Sequence, residues 1–130
     1  MKDMFSLEGT VSIVTGGNGG IGKGIADGLA MKGSTVVVAG RDETKTNEAV
    51  EDIRNRFGVA CHGLTLDVAD PESIRTGIAK TASDLGRIDV LVNNAGVNIR
   101  KKPQDYDVEE WDWIVDINLR GAFLCCQAAY

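Results

Sequence analysis

The residues best placed to do chemistry lie in the stretch TGGNGGIG, positions 15–22. Glycines there would let backbone N–H groups close around an anion, with no Cβ to hold it off. Two registers fit the stretch. Gly17-x-Gly19-x-x-Gly22 is the general dinucleotide fingerprint GxGxxG, and Gly16-x-x-x-Gly20-x-Gly22 is the pattern TGxxxGIG. No GK[ST] follows, which argues against a P-loop.

The general fingerprint expects an acid at the end of the next strand, about 20 residues on, to hold a ribose 2′-hydroxyl. Here that strand ends VVAGRD, with Gly40 at or next to the acid's place and Arg41 following. An arginine suits a 2′-phosphate, so NADP is expected in preference to NAD. Asp42 has two readings, a ribose contact or a helix N-cap.

The elements that must carry these residues alternate in type. Residues 10–15, 34–40, 59–67 and 87–96 read as strands one to four. Between strands one and two, Ile21, Ile25 and Leu29 mark a helix that Gly33 ends. Asp42 starts a second helix with the stripe Val50, Ile53 and Phe57, stopped by Gly58. Asp70-Pro71 opens a third, with Ile74, Ile78, Ala82 and Leu85 inward and Gly86 at its end. A polar loop with Arg100, Lys101 and Lys102 follows strand four. Asp107 and Glu110 then resemble a capping box that opens a last helix running to Tyr130. The order predicts an α/β, Rossmann-type, doubly wound parallel sheet, strand order 3-2-1-4, helices on both faces.

The chain has 130 residues, a net charge of −5 and 43% hydrophobic residues, which suits one globular domain over 1–130. The acidic balance argues against nucleic acid and an anionic membrane surface. The N-terminus has no signal-peptide h-region and no apolar run is long enough to span a bilayer, so a cytoplasmic protein is expected. Cys61, Cys125 and Cys126 read as small hydrophobes, and no metal site is expected. His62, in strand three, is expected to be structural.

TGGNGGIG together with NNAG (93–96), LDVAD and NLRGAF resembles the short-chain dehydrogenase/reductase family in its single-domain form, over essentially the whole chain. The match favours the TGxxxGIG register. It implies that Gly16, Asn18, Gly20, Ile21 and Gly22 surround the cofactor's phosphates. Arg41 would sit by the adenosine ribose, Asp67 and Val68 by the adenine, and Asn94, Ala95 and Gly96 by the nicotinamide-side ribose. Asp67 has a second reading as a strand-end turn former. Asn93 is expected to tie adjacent strands through its amide.

Asn118 shares a helical stripe with Trp111, Ile114, Val115 and Ala122, so it is expected to be buried, with Trp111 in the core and Trp113 partly exposed or at a subunit contact. Asn118 has one reading as a structural amide bridging to a neighbouring loop; the resemblance makes it instead the asparagine of the catalytic tetrad, at a local helix distortion. The family's Ser, Tyr and Lys lie beyond that Asn, past a fifth strand. Neither Tyr130 nor Tyr106 fits the catalytic Tyr. The 130 residues are therefore expected to be the N-terminal half of a longer protein, inactive alone.

The expected activity of that parent is hydride transfer between nicotinamide and a secondary alcohol or ketone. Within the family, the chain looks most like sugar-acid dehydrogenases of the gluconate 5-dehydrogenase or 2-deoxygluconate 3-dehydrogenase type. The loop cations Arg100, Lys101 and Lys102 have two readings, a lure for a substrate carboxylate or, for at least two of the three, a solvated charge run. Alternatives are a 3-oxoacyl-carrier-protein reductase, a non-catalytic nucleotide-binding module, and a methyltransferase, against which NNAG and Arg41 speak. The family favours homotetramers.

Overall fold

A computed structural model describes residues 3–130. Four parallel strands form one sheet in the order β3-β2-β1-β4, as the alternation of segments predicts. They are β1 (Val11–Thr15), β2 (Thr35–Gly40), β3 (Cys61–Thr65) and β4 (Val90–Val92). Between them run α1 (Gly20–Met31), α2 (Glu43–Phe57) and α3 (Pro71–Leu85). After β4 come a single 3-10 turn (Pro103–Asp105), α4 (Val108–Val115), a π-helical segment (Asp116–Gly121) and α5 (Ala122–Ala129). Among the described residues, no helix is long and apolar enough to cross a membrane.

β1 and β2 lie at the middle of the sheet and are buried almost throughout, which is why they read as unbroken apolar runs. Cores form on both faces. One holds Val14, Val36, Val38, Ala26, Ala49 and Ile53 between the sheet and α1–α2. The other holds Ile13, Val37, Ala39, Ile74, Ile78 and Cys125 between the sheet and α3–α5. Alternate residues of β1 and β2 thus feed opposite cores. A four-membered ion cluster also clasps α1 to α2. Lys23 Nζ lies 2.6 Å from both Asp27 and Asp52, and Arg56 reaches the same two carboxylates at 2.7 and 3.1 Å.

Helix ends follow the expected chemistry. Asp42, Asp70 and Asp107 each accept a backbone N–H at the start of α2, α3 and α4, and Asp107 with Glu110 completes a capping box. Gly58 and Gly86 close α2 and α3 in the left-handed conformation.

Several expectations need correction. β4 covers three residues rather than ten. Before it, Asp89 spends its carboxylate on the Val11 N–H at 2.8 Å and on Arg87. After it, the Asn94 N–H turns to the Thr15 hydroxyl and the Val92 carbonyl. In α1 Ile25 and Leu29 pack against the core as expected, but the fully buried residues are Gly22, Ala26 and Ala30, one residue on, and Ile21 is exposed. The helix lies so close to the sheet that small residues occupy the contact. Trp111 is 64% exposed rather than core, and Asn118 is exposed rather than buried. The long C-terminal helix carries two apolar stripes, and the one facing inward is Ile117, Gly121 and Cys125. Cys61 and Cys125 are buried as expected, whereas Cys126 is exposed.

Candidate cofactor cleft

A cleft of about 630 Å³ opens at the carboxyl ends of the strands, the edge where ligands bind in sheets of this kind. Its floor is the loop between β1 and α1. Gly16 (φ +63°) and Gly20 (φ +54°) have left-handed backbone that a side chain would strain. A Cβ at position 22 would stand 2.1 Å from the Gly16 carbonyl oxygen and 2.4 Å from Asn94 Nδ2. The backbone therefore demands glycine at 16, 20 and 22, all three glycines of the TGxxxGIG register; of the other register it also demands Gly17, whose Cβ would stand 2.8 Å from the Val14 carbonyl oxygen. At Gly19, by contrast, only the movable end of Lys45 would be met.

α1 is capped differently from its neighbours. Its N-cap is Gly19, with no side-chain hydrogen bond and no acid in the first turn. Its first N–H groups lack the carboxylate that α2, α3 and α4 each receive, so the positive end of the helix is left for an anion.

Thr15 joins the loop to β4. Its buried hydroxyl accepts the N–H groups of Asn94 (3.1 Å) and Ala95 (3.0 Å) and lies 3.3 Å from the Val92 carbonyl oxygen, to which it donates. Asn94 answers with its amide, donating to the carbonyls of Thr15 (3.0 Å) and Gly16 (3.2 Å). So Asn94 ties β4 to the loop after β1, the role expected of Asn93. Asn93 is exposed, and its amide lies against the Cys126 sulfur.

At the end of β2, Asn18 Nδ2 donates to the hydroxyl of the buried Thr46 at 3.1 Å. A Cβ on Gly40 would sit 2.3 Å from that amide nitrogen. An acid at 40 is sterically excluded while this bond stands. Arg41, next in line, is exposed on the cleft rim and has no carboxylate within 4 Å among the described residues. Asp42 has its N-cap role, accepting the Lys45 N–H at 3.0 Å.

Asp67 and Val68 line the adjoining wall. The Asp67 carboxylate accepts the Ala69 N–H at 2.9 Å, the turn-forming reading of that residue. The π-helical segment braces this wall. A Cβ on Gly121 would lie 2.6 Å from the Val68 carbonyl oxygen, and Arg120 donates to the Ala69 carbonyl at 3.3 Å.

Of the sequence-predicted residues, Gly16, Asn18, Arg41, Asp67, Val68, Asn94, Ala95 and Gly96 line one cleft. Gly20, Ile21, Gly22 and Asn118 do not. Gly22 lies beneath Gly16, and Asn118 stands behind the wall, holding Val97 by two hydrogen bonds. Its position inside the π-helical turn matches the expected helix distortion. Sequence reasoning missed Thr15 and Lys45. The first closes a strand before a glycine loop, and the second stands three residues after a helix cap, in the turn facing the cleft. His62 lies in β3, away from the cleft. In the loop after β4, Lys101 pairs with Glu110, while Arg100 and Lys102 are exposed without an acid partner among the described residues.

The cleft's features suit a dinucleotide: a cradle that a Cβ at 16, 20 or 22 would obstruct or strain, an uncapped helix N-terminus, and an unpaired guanidinium at the end of β2.

A family model described as short chain dehydrogenase matches residues 10–130. The chain is 37% identical over 123 residues to a 3-oxoacyl-acyl-carrier-protein reductase from Aquifex aeolicus, covering 95% of this chain and 50% of that protein. It is 35% identical over 129 residues to 2-dehydro-3-deoxy-D-gluconate 5-dehydrogenase from Bacillus subtilis, covering 99% and 50%. Among solved structures, a gluconate 5-dehydrogenase from Burkholderia cenocepacia in complex with NADP and tartrate superposes with a TM-score of 0.91 at 34% identity, covering 98% of this chain and 49% of that one. The chain thus spans about half the length of the curated relatives it matches.

Proposed function

The chain belongs to the short-chain dehydrogenase family, and from that we propose that its protein uses NADP to move a hydride between nicotinamide and a secondary alcohol or ketone. Residues 1–130 supply the cofactor half of the doubly wound domain. The single observation that carries the cofactor choice is the end of β2, where Gly40 stands in the acid's place beneath the Asn18 amide and Arg41 has no acid partner among the described residues. The NADP bound by the Burkholderia relative supports the same choice.

The bound nicotinamide supplies the hydride chemistry, and this chain's residues bind and orient it. Gly16 and Asn18 would face the phosphates, with Gly20, Ile21 and Gly22 shaping the loop and the uncapped start of α1 behind them. Arg41 neutralises a 2′-phosphate. Asp67 and Val68 make the adenine wall, and Asn94, Ala95 and Gly96 the nicotinamide-side ribose wall. Asn118 is the family's tetrad asparagine and fixes the Val97 backbone at the inner end of the cleft.

The substrate we favour is a sugar acid such as gluconate. Two sugar-acid dehydrogenases among the relatives support this, as does Arg100, an exposed cation without an acid partner just beyond the nicotinamide-side turn. The Aquifex relative keeps a 3-oxoacyl-carrier-protein reductase as the second reading. The test is steady-state turnover by the full natural gene product with NADP and gluconate, against NADPH and a 3-oxoacyl thioester. Turnover of the sugar acid with NADP bears out the first reading, and turnover of the thioester alone replaces it with the second. Tight NADPH binding with no turnover of any alcohol or ketone would leave a nucleotide-binding module.

A further inference from the structure

We propose that Lys45 is the second cation of the 2′-phosphate site, acting with Arg41; this deepens the NADP reading and rests on it. Lys45 stands in the first turn of α2, three residues after the cap Asp42, which holds its N–H at 3.0 Å. The residue is exposed, yet its side chain keeps to the protein surface. It folds back over the glycine loop, so that a Cβ on Gly19 would lie 2.7 Å from its ammonium nitrogen and 2.9 Å from Cε.

The charge is uncommitted. Lys23, Lys32, Lys80 and Lys101 each pair with a carboxylate. Lys45 has none within 4 Å among the described residues, and neither has Arg41. Both line the same cleft, Arg41 from the turn between β2 and α2 and Lys45 from the first turn of α2. Two unpaired cations at one rim repel each other unless an anion lies between them, and a phosphate monoester carries close to two negative charges near neutral pH. Of the two acids beside them, Asp42 is committed to the helix cap and Glu43 is not part of the cleft lining. The group at the end of β2 that would select a ribose hydroxyl is excluded by the Asn18–Gly40 contact. The rim is therefore built for a dianion on the ribose. A pyrophosphate contact through Gly19 is the competing role, and the ligands below separate the two.

The test is calorimetric binding of adenosine 2′,5′-bisphosphate and of 5′-AMP to the protein and to its Lys45→Met, Lys45→Arg and Arg41→Ala variants. These ligands differ only in the 2′-phosphate. We expect Lys45→Met to weaken the bisphosphate about tenfold, the scale of one charged hydrogen bond, and to leave 5′-AMP within about twofold by the same scale. Lys45→Arg should keep most of the affinity. An equal loss for both ligands would place Lys45 on the 5′-phosphate side and overturn the proposal. So would no loss for either. If Arg41→Ala discriminates the ligands and Lys45→Met does not, the NADP reading stands and the role of Lys45 falls. If the unaltered protein binds both ligands equally, both fall together.

Discussion

Asn118 and Val97 exchange two hydrogen bonds of equal length. The Val97 N–H donates to Asn118 Oδ1 at 2.8 Å, and Asn118 Nδ2 donates to the Val97 carbonyl at 2.8 Å. An amide can play both parts at once because it holds one acceptor and one donor in a plane. Aspartate can only accept, so Asn118→Asp should set one carboxylate oxygen against the Val97 carbonyl oxygen. Amide exchange at Val97 should speed up by about tenfold or more in both Asn118→Asp and Asn118→Leu, as local opening becomes easier. Unchanged exchange in Asn118→Leu would mean the loop is held by something else.

Thr15→Val keeps the shape of the side chain and removes its hydroxyl. The Ala95 N–H would lose its acceptor in a part-buried place, and the Asn94 N–H would keep only the Val92 carbonyl. An orphaned donor costs about 1–3 kcal/mol, so urea unfolding should show a loss of about 1 kcal/mol or more, while Thr15→Ser loses less. Equal stability of the valine variant would sink the view that this hydroxyl joins β1 to β4.

The three thiols should react at very different rates. Burial pushes the thiols of Cys61 and Cys125 up to about 11, so almost no thiolate exists at neutral pH, and both are buried besides. Cys126 is exposed. A thiol reagent at pH 8 should label one cysteine quickly in the folded protein and three after denaturation. Mass mapping should find the fast label on Cys126.

The clasp between α1 and α2 sets a pH window. Burial works against ionising Asp27, but hydrogen bonds from Lys23 and Arg56 outweigh it and hold its pKa below the ordinary value. Those same two donors lower Asp52. A carboxylate whose folded pKa is depressed adds stability above its unfolded pKa, near 4, and loses it as pH falls through the folded value. Burial also opposes the charge on Lys23, yet the two acids raise its pKa overall, so its share is lost at the alkaline end, above about pH 10. The double variant Asp27→Asn, Asp52→Asn should therefore show a flatter fall in melting temperature between about pH 5 and 2. An identical slope would show that other carboxylates govern acid unfolding.

Much of this was legible in the chain because it depends on local chemistry. Three Asp caps, two glycine stops and the β-branched runs of β1 and β2 each announce themselves within a few residues. The strand order followed from alternation and handedness. What failed depended on which side of a helix meets the sheet. Ile21, Trp111 and Asn118 sit on apolar stripes, yet the faces that bury are the small-residue stripes beside them. Periodicity marks a stripe without saying which of two neighbouring stripes is inside. The length of β4 was also hidden, because side chains of Asp89 and Thr15 intercept backbone groups that a longer strand would pair. The cleft's members were recognised as types, but Lys45 was not, since only the folded path of α2 brings its side chain over Gly19.

The π-helical segment Asp116–Gly121 acts as a phase shifter. Each residue of an α-helix turns the chain by about 100°, so the widened turn decides which way everything after it points. Upstream, α4 has no buried residue; downstream, α5 drives Cys125 fully into the core. If the segment relaxed to regular helix with all six residues kept, α5 would rotate by about that angle. Cys125 would swing out of the core and Asn118 would move away from Val97. The wide turn thus carries an extra residue that a regular helix could hold only by turning Cys125 away from the sheet.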